Sequence, residues 1–521
     1  MKKLLCALLA SALLCGCAAG PAETTGPATT TQPPEIASTV ITLSDEGIEF
    51  PADSGIHVAN DIVYYEEGRD ETYGEGEAHE SHSAAEAAKH TVVHITKPGT
   101  YTLRGKLSAG QIAVDLGEEA KTDPNAVVTL ILDGADITCT VAPAVIFYNV
   151  YECGNPEDPR ANVDTAAAGA NVVLHHGSVN NITGSHVAKI YKPGTDKKLH
   201  KYDAAFYSKM SMNIGGSGEL NITADNEGLD SELHLTINGG TIRIASGNDG
   251  INTNADGVSV TTINGGLLDI HVTGETGEGD GIDSNGWLVI NGGWVFASAC
   301  GISGDAGIDS DMGIQINGGT VCAGGNMLDR IEDGGQTHTV FTFTERQEPG
   351  VYALKNAKGE TVAEYTAGNA FQYLILSAPE LTEGTYTLWS GKQQYQGMAG
   401  GMMSGFMEGA EIQRPDWPED GADVEIPPQP TQPIVTQGTV QPPAGEQPEN
   451  MPVPPMPEGG TDMPTPPMPE GSENMPMPQP PAGMEPPPGG RQPGQFVTGT
   501  LSTEFPVKNG ANYFMSVRPV E

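Results

Sequence analysis

Apolar and polar positions alternate in short runs across the middle of the chain, and four of these runs share one turn. Ile-Asn-Gly-Gly stands at Ile237–Gly240, Ile263–Gly266, Ile290–Gly293 and Ile316–Gly319, at intervals of 26, 27 and 26 residues. Each copy leads into a segment of period two: Thr241-Ile242-Arg243-Ile244, Leu267-Leu268-Asp269-Ile270, Trp294-Val295-Phe296-Ala297 and Thr320-Val321-Cys322. Alternate side chains of a strand point to opposite faces, so Ile242, Leu268, Val295 and Val321 share one face with Leu235, Ile237, Leu288, Ile290, Ile314 and Ile316 from the strands before the turns. No single turn of chain can bury such a face alone. Units of this length must stack, with parallel strands roughly 4.8 Å apart, and the pattern predicts a parallel β-helix. The Gly-Gly pair provides left-handed backbone at a tight corner, and the Asn before it is placed to stack as an amide ladder.

A second repeat occupies another corner of the same units: Asn226-Glu227-Gly228-Leu229-Asp230, Asn248-Asp249-Gly250-Ile251-Asn252, Asp280-Gly281-Ile282-Asp283 and Asp305-Ala306-Gly307-Ile308-Asp309. The apolar residue after Gly faces the core, so stacking puts Asp230, Asn252, Asp283 and Asp309 in one column, with Asp249, Asp280 and Asp305 near it. Carboxylates at that spacing repel by roughly 1 kcal/mol in water and several-fold more near a protein surface. Ca²⁺ suits several oxygens on adjacent turns, which makes Asp225, Asp230, Asp249, Asn252, Asp280, Asp283, Asp305, Asp309 and Asp311 the candidate metal ligands. The competing reading is that Asp and Asn are turn residues bonded to their own backbone. Recurrence at a fixed place argues for the column.

Charge extends the same picture. The formal net charge is −42, which excludes nucleic acid as a partner and makes an acidic polymer a poor one unless divalent ions intervene. Between Met210 and Asp329 the only Lys or Arg is Arg243. At the N-terminus, Met1-Lys2-Lys3 and the apolar run Leu4–Leu14 form a secretion signal ending in Leu14-Cys15-Gly16-Cys17. That ending resembles a bacterial lipoprotein box, which implies cleavage before Cys17 and lipid on its thiol, at the extracellular face of the membrane. Cys139 and Cys153 could pair across a loop, and the repeat does not demand a Cys300–Cys322 bridge.

The organisation expected is a signal peptide over 1–17, a flexible tether over 18–44, the β-helix with its N-terminal cap over 45–345 and a β cap over 346–396. A disordered Pro/Met/Gly-rich insertion follows over 397–494, where Met-Pro-Val-Pro-Pro-Met-Pro-Glu-Gly returns twelve residues on in near copy, and final cap strands occupy 495–521. The fold class is all-β: a right-handed parallel β-helix with a C-terminal antiparallel cap interrupted by that insertion. A monomer is expected.

Tyr207-Ser208-Lys209, Gly218-Glu219-Leu220-Asn221-Ile222, Asn248-Asp249-Gly250-Ile251 and the Ile-Asn-Gly-Gly repeat resemble the carbohydrate-binding-domain-containing β-helix proteins of bacterial surfaces. The resemblance implies calcium-dependent binding of cellulose or pectic polymers and a fold similar to family 9 pectate lyases, with the Asn-Asp-Gly-Ile and Asp-Gly-Ile-Asp corners as calcium-binding turns. The family's Ser-Lys-Asp after each corner is lost here: Lys209 survives once, and Glu232, Asn285 and Asp311 stand at the Lys position in later units. β-Elimination needs a base for the C5 proton, and Lys209 is the candidate if the protein is a Ca²⁺-dependent polysaccharide lyase. Arg243 is expected to pair with Asp269 across the strands. Trp294 and Phe296, with Trp287 on the strand before, could stack on sugar rings or lie under the cap. The function expected is Ca²⁺-dependent polysaccharide binding without catalysis, with substrate contacts from Trp287, Trp294, Phe296 and Arg243. A lyase, and a surface scaffold or adhesin stiffened by Ca²⁺, are the alternatives.

Overall fold

The computed structural model describes residues 38–62, 84–185, 190–191, 198–200, 202–400 and 500–521. The signal peptide, Cys17, most of the tether and nearly all of the Pro/Met/Gly-rich insertion lie outside the described residues. Within them the regular structure is almost all strand, with helix only at Ala84–Ala87 and a 3₁₀ turn at Glu118–Thr122. No described helix is long and apolar enough to cross a membrane.

Three parallel ladders carry the apolar pattern. The first runs through Thr39–Leu43, Gly99–Leu107, Val128–Thr138, Ala170–Leu174, Met212–Gly216, His234–Ile237, Val260–Ile263, Trp287–Ile290 and Gly313–Ile316. The second starts on the final residues of Gly99–Leu107 and Val128–Thr138, the latter pairing with Val179–Gly184, and continues through Glu219–Ala224, Thr241–Ser246, Leu267–Val272, Trp294–Ser298 and Thr320–Gly325. The third holds Thr91–Ile95, Gly110–Asp115, Val145–Asn149, Ala204–Ser208, Glu227–Ser231 and Ile251–Thr253. A chain walking from the third ladder to the first and then the second returns to the third one rung higher.

Register follows the repeat. Ile237, Ile263, Ile290 and Ile316 are successive partners, as are Ile242, Leu268, Val295 and Val321, and none is more than 1% exposed. Burying each such side chain contributes about 1.5–3 kcal/mol, which sets the stacking phase. Gly266 and Gly293 turn the corner with φ of 93° and 85°, and a Cβ on either would sit 2.7 Å from the carbonyl oxygen of Gly240 or Gly266 on the rung before. Beside them the Asn ladder forms as expected: the Nδ2 of Asn264, Asn291 and Asn317 each donates to the Oδ1 of the Asn one rung back, at 2.9 Å.

Two expected boundaries move. Thr39–Leu43 pairs in register with Tyr101–Gly105, so the first ladder takes in residues assigned to the tether. His338–Gln347, placed within the helix, belongs instead to the antiparallel part: it pairs antiparallel with Phe371–Ser377 and parallel with Ala511–Pro519. Its side chains explain the shift, since Phe341 and Phe343 enter a separate aromatic core with Tyr352, Phe371, Tyr395, Phe505 and Phe514. Ala511–Pro519 also pairs with Gln393–Gly400, so strands from either side of 401–499 share one sheet. Cys139, Cys153, Cys300 and Cys322 are all free thiols.

Candidate functional site

The third ladder brings the acidic motifs into line. Asp230 is the register partner of Tyr207 on one side and Asn252 on the other. The column continues because Asp283 donates its backbone N–H to Ile251 at 2.8 Å and Asp309 donates to Ile282 at 2.7 Å. Glycine permits this stacking: a Cβ on Gly250 would lie 2.2 Å from Ile270 Cγ2 and 2.5 Å from the carbonyl oxygen of Gly281. At the upper end the carboxylates of Asp280, Asp283 and Asp309 converge, with an oxygen of each within 4.8 Å of the others.

Around that cluster the other predicted ligands divide. Asp249 is buried and its Oδ1 accepts the N–H of Asp280 at 2.7 Å, while Asp280 Oδ1 accepts the N–H of Ala306 at 2.5 Å, so each carboxylate braces the next rung. Asp305 lies one position earlier in its rung than Asp249 and Asp280 do in theirs; it accepts from Gly279 N–H at 2.6 Å and from Ser303 Oγ. Asp225 is exposed at the end of the preceding strand, bonded to Ser185 Oγ, and is outside the column. Asp311 falls in the neighbouring column, where Lys209, Glu232, Asn254, Asn285 and Asp311 succeed one another by backbone bonding.

The electrostatics are one-sided. Burial, then repulsion from Glu227, Asp283 and Asp305, pushes the Asp249 carboxyl well above the usual carboxylate range. Burial, followed by Asp249, Asp309 and Asp283, does the same to Asp280. Asp230, wholly buried, is raised first by desolvation and then by Glu227, Glu232 and Asp203, although Asn254 Nδ2 donates to both its oxygens at 3.2 and 3.0 Å. Asn252 donates to Glu227 Oε1 at 3.1 Å, yet its own buried Oδ1 receives no hydrogen bond. Carboxylate and amide oxygens on adjacent rungs, mutually repelling and with the Asn252 acceptor unmet, form a donor set suited to a hard divalent cation.

Two members of this set were not predicted from sequence. Glu227 is buried at the position that Asp249 and Asp280 occupy on later rungs, and its place in the motif Asn226-Glu227-Gly228 was the available signal. Asp329 is pushed up to about 7 by burial, then by Asp309 and Asp311, and follows no Gly-Ile motif that would have flagged it.

The remaining candidates scatter. Lys209 starts the neighbouring column, with its Nζ 6.0 Å from the Tyr202 ring centroid. Arg243 is in register with Asp269 but its ion pair is to Glu219, at 2.8 Å, on the rung before; the expected Arg243–Asp269 pair is replaced by this diagonal one. Phe296 packs against the aromatic core of the antiparallel part and is partly covered by it. Trp294 remains 55% exposed, and Trp287 is half-buried on the first ladder, so the three rings form no single platform.

Residues 89–340, which contain both the column and the Asn ladder, match the family model for carbohydrate-binding domain-containing proteins. Over this segment the chain is similar to that family. A carbohydrate-binding domain-containing protein of Acetivibrio thermocellus is 31% identical over 153 residues, which are 29% of this chain and 44% of that protein, so the chain spans under half the length of this relative. A solved structure described as a polysaccharide lyase-like protein from C. thermocellum, in its gadolinium derivative, is similar at a TM-score of 0.37 and 21% identity, covering 57% of this chain and 94% of its own.

Proposed function

We propose that the protein is a polysaccharide-binding lipoprotein of the bacterial surface, anchored through Cys17, whose carbohydrate-binding domain is a right-handed parallel β-helix holding Ca²⁺ on its acidic column. The convergence of the Asp280, Asp283 and Asp309 oxygens within 4.8 Å carries this reading. In the column's stretch, Met210 to Asp329, the sole Lys or Arg is Arg243, which lies on the second ladder, off the column, and is engaged there by Glu219. An external cation is therefore the economical way to neutralise the cluster. For a pectic chain the ion would link protein carboxylate to sugar carboxylate and overcome the like-charge repulsion of a chain at −42.

Binding without turnover is favoured over a lyase by the position of Lys209. It begins its column three rungs from the Asp283 rung, roughly 14 Å at a strand spacing of about 4.8 Å, too far for one sugar to meet both base and cluster cation. The test is retention of the protein on polygalacturonate and cellulose with calcium and with chelator, assayed alongside unsaturated uronide absorbance. Calcium-dependent retention with no absorbance is expected. Absorbance that vanishes in Lys209→Ala would establish the lyase instead, and retention on no glycan, with loss of thermal stability in chelator, would leave a scaffold.

A further inference from the structure

A groove of about 480 Å³ lies on the outer side of the first ladder, away from the acidic column. Its floor is two rows of side chains fixed by strand register: Thr236, Thr262 and Val289 in one, Asn238, Asn264 and Asn291 in the other. Its wall is the segment Ala161–Ala166, seventy residues upstream of the nearest of those rows. Thr165 pins the wall to the floor, because its Oγ1 bonds Asn213 Oδ1 and Thr236 Oγ1, each at 2.7 Å, while Asn213 Nδ2 donates to the Thr165 carbonyl at 2.7 Å. The groove is thus formed before any ligand arrives, which lowers the ordering cost of binding.

We propose that this groove binds a stretch of an extended, uncharged polysaccharide without the help of a cation. The amide ladder supplies the recognition. A side-chain amide has two donor hydrogens and two acceptor sites, and each interior ladder residue spends one of each on its neighbours, leaving Asn264 and Asn291 with one spare donor and one spare acceptor apiece. A sugar hydroxyl both donates and accepts, so it completes such an amide, and the rungs repeat that offer about every 4.8 Å along the groove. Val289 in the floor and Ala161 and Val163 in the wall add apolar surface for the C–H faces of sugar rings. Charge selects against acidic glycans here: no lining residue is Lys or Arg, and the one ionisable lining group is Asp164.

This inference rests on the carbohydrate-binding reading but not on its calcium. Affinity gel electrophoresis of the full chain through hydroxyethylcellulose and galactomannan, in chelator, tests it directly. Retardation by at least one of these neutral polymers is expected, and Ala161→Trp from the wall and Thr262→Trp from the floor should each weaken it at least tenfold. Thermal melts establish that both variants are folded, with Asn264→Leu as a third that removes the spare amide groups without adding bulk. Calcium-dependent retention on polygalacturonate, read on the same proteins, should not change. No retardation in chelator, or retardation that the folded variants leave intact, would overturn the groove. Neutral retardation that persists while polygalacturonate is never retained would uphold the groove and remove the calcium reading alone.

Discussion

Two stacks of like side chains climb the same rungs, and they solve stacking in opposite ways. The Asn238–Asn317 ladder holds itself together, since Asn264, Asn291 and Asn317 each donate to the amide before at 2.9 Å and no charge accumulates. The acidic column frustrates itself: the same geometry presses Asp280, Asp283 and Asp309 together, and burial favours the protonated form of Asp280 and of its neighbour Asp249. A neutral ladder is held together by its own bonds and keeps spare groups for a neutral ligand, whereas a charged one is neutralised only from outside. Frustration of this kind marks a place where a ligand has something to do.

The largest expected effect comes from breaking the rung spacing that both stacks share. A Cβ on Gly281 would meet the carbonyl oxygen of Gly307 at 2.4 Å, so Gly281→Val should cost about 3 kcal/mol and lower the melting temperature with or without calcium. The stacks should then part company in pH. A carboxyl raised in the folded state stabilises the fold below its unfolded pKa and loses that contribution as pH rises through the folded value. For Asp329 that window runs from the ordinary 3.8 to about 7, and Asp249 and Asp280 shift in the same direction. In chelator, therefore, these groups should make the protein progressively less stable from pH 4 to pH 7, and calcium should restore stability at the upper end.

Substitution sharpens the contrast further. Asp283→Asn should raise stability in chelator at pH 7 by about 1 kcal/mol through relief of repulsion, and should shrink the gain on adding calcium. Asn264→Ala removes two exposed ladder bonds and should cost about 1 kcal/mol, equally with and without calcium. Denaturant unfolding of the four combinations distinguishes the stacks by the sign of the change.

Most of this architecture was legible because Ile-Asn-Gly-Gly fixes phase. Once Ile237, Ile263, Ile290 and Ile316 are aligned, the Asn ladder and the Asp230–Asn252–Asp283–Asp309 column follow by counting. What escaped depends on contacts that counting along one period cannot reach. Arg243 was in register with Asp269 as expected, but a long side chain can choose a diagonal partner, and Glu219 won. Phe296 faced outward by parity, yet an aromatic core assembled from strands on both sides of a long insertion partly covers it. The groove was invisible because Ala161–Ala166 carries no motif and is tied to the ladder by Thr165, far from it in sequence. Glu227 was hidden by a single methylene, standing where later rungs have Asp.

The central claim, that stacked acidic corners make one cation site, is most directly tested by calorimetric titration of calcium at pH 6.5 in two buffers of different ionisation enthalpy. Calcium should bind with net release of protons, because it displaces them from carboxyls held above their ordinary range, and Asp280→Asn combined with Asp283→Asn should abolish both binding and release. Absence of binding, or binding that survives in the double variant with its proton release unchanged, would contradict the account.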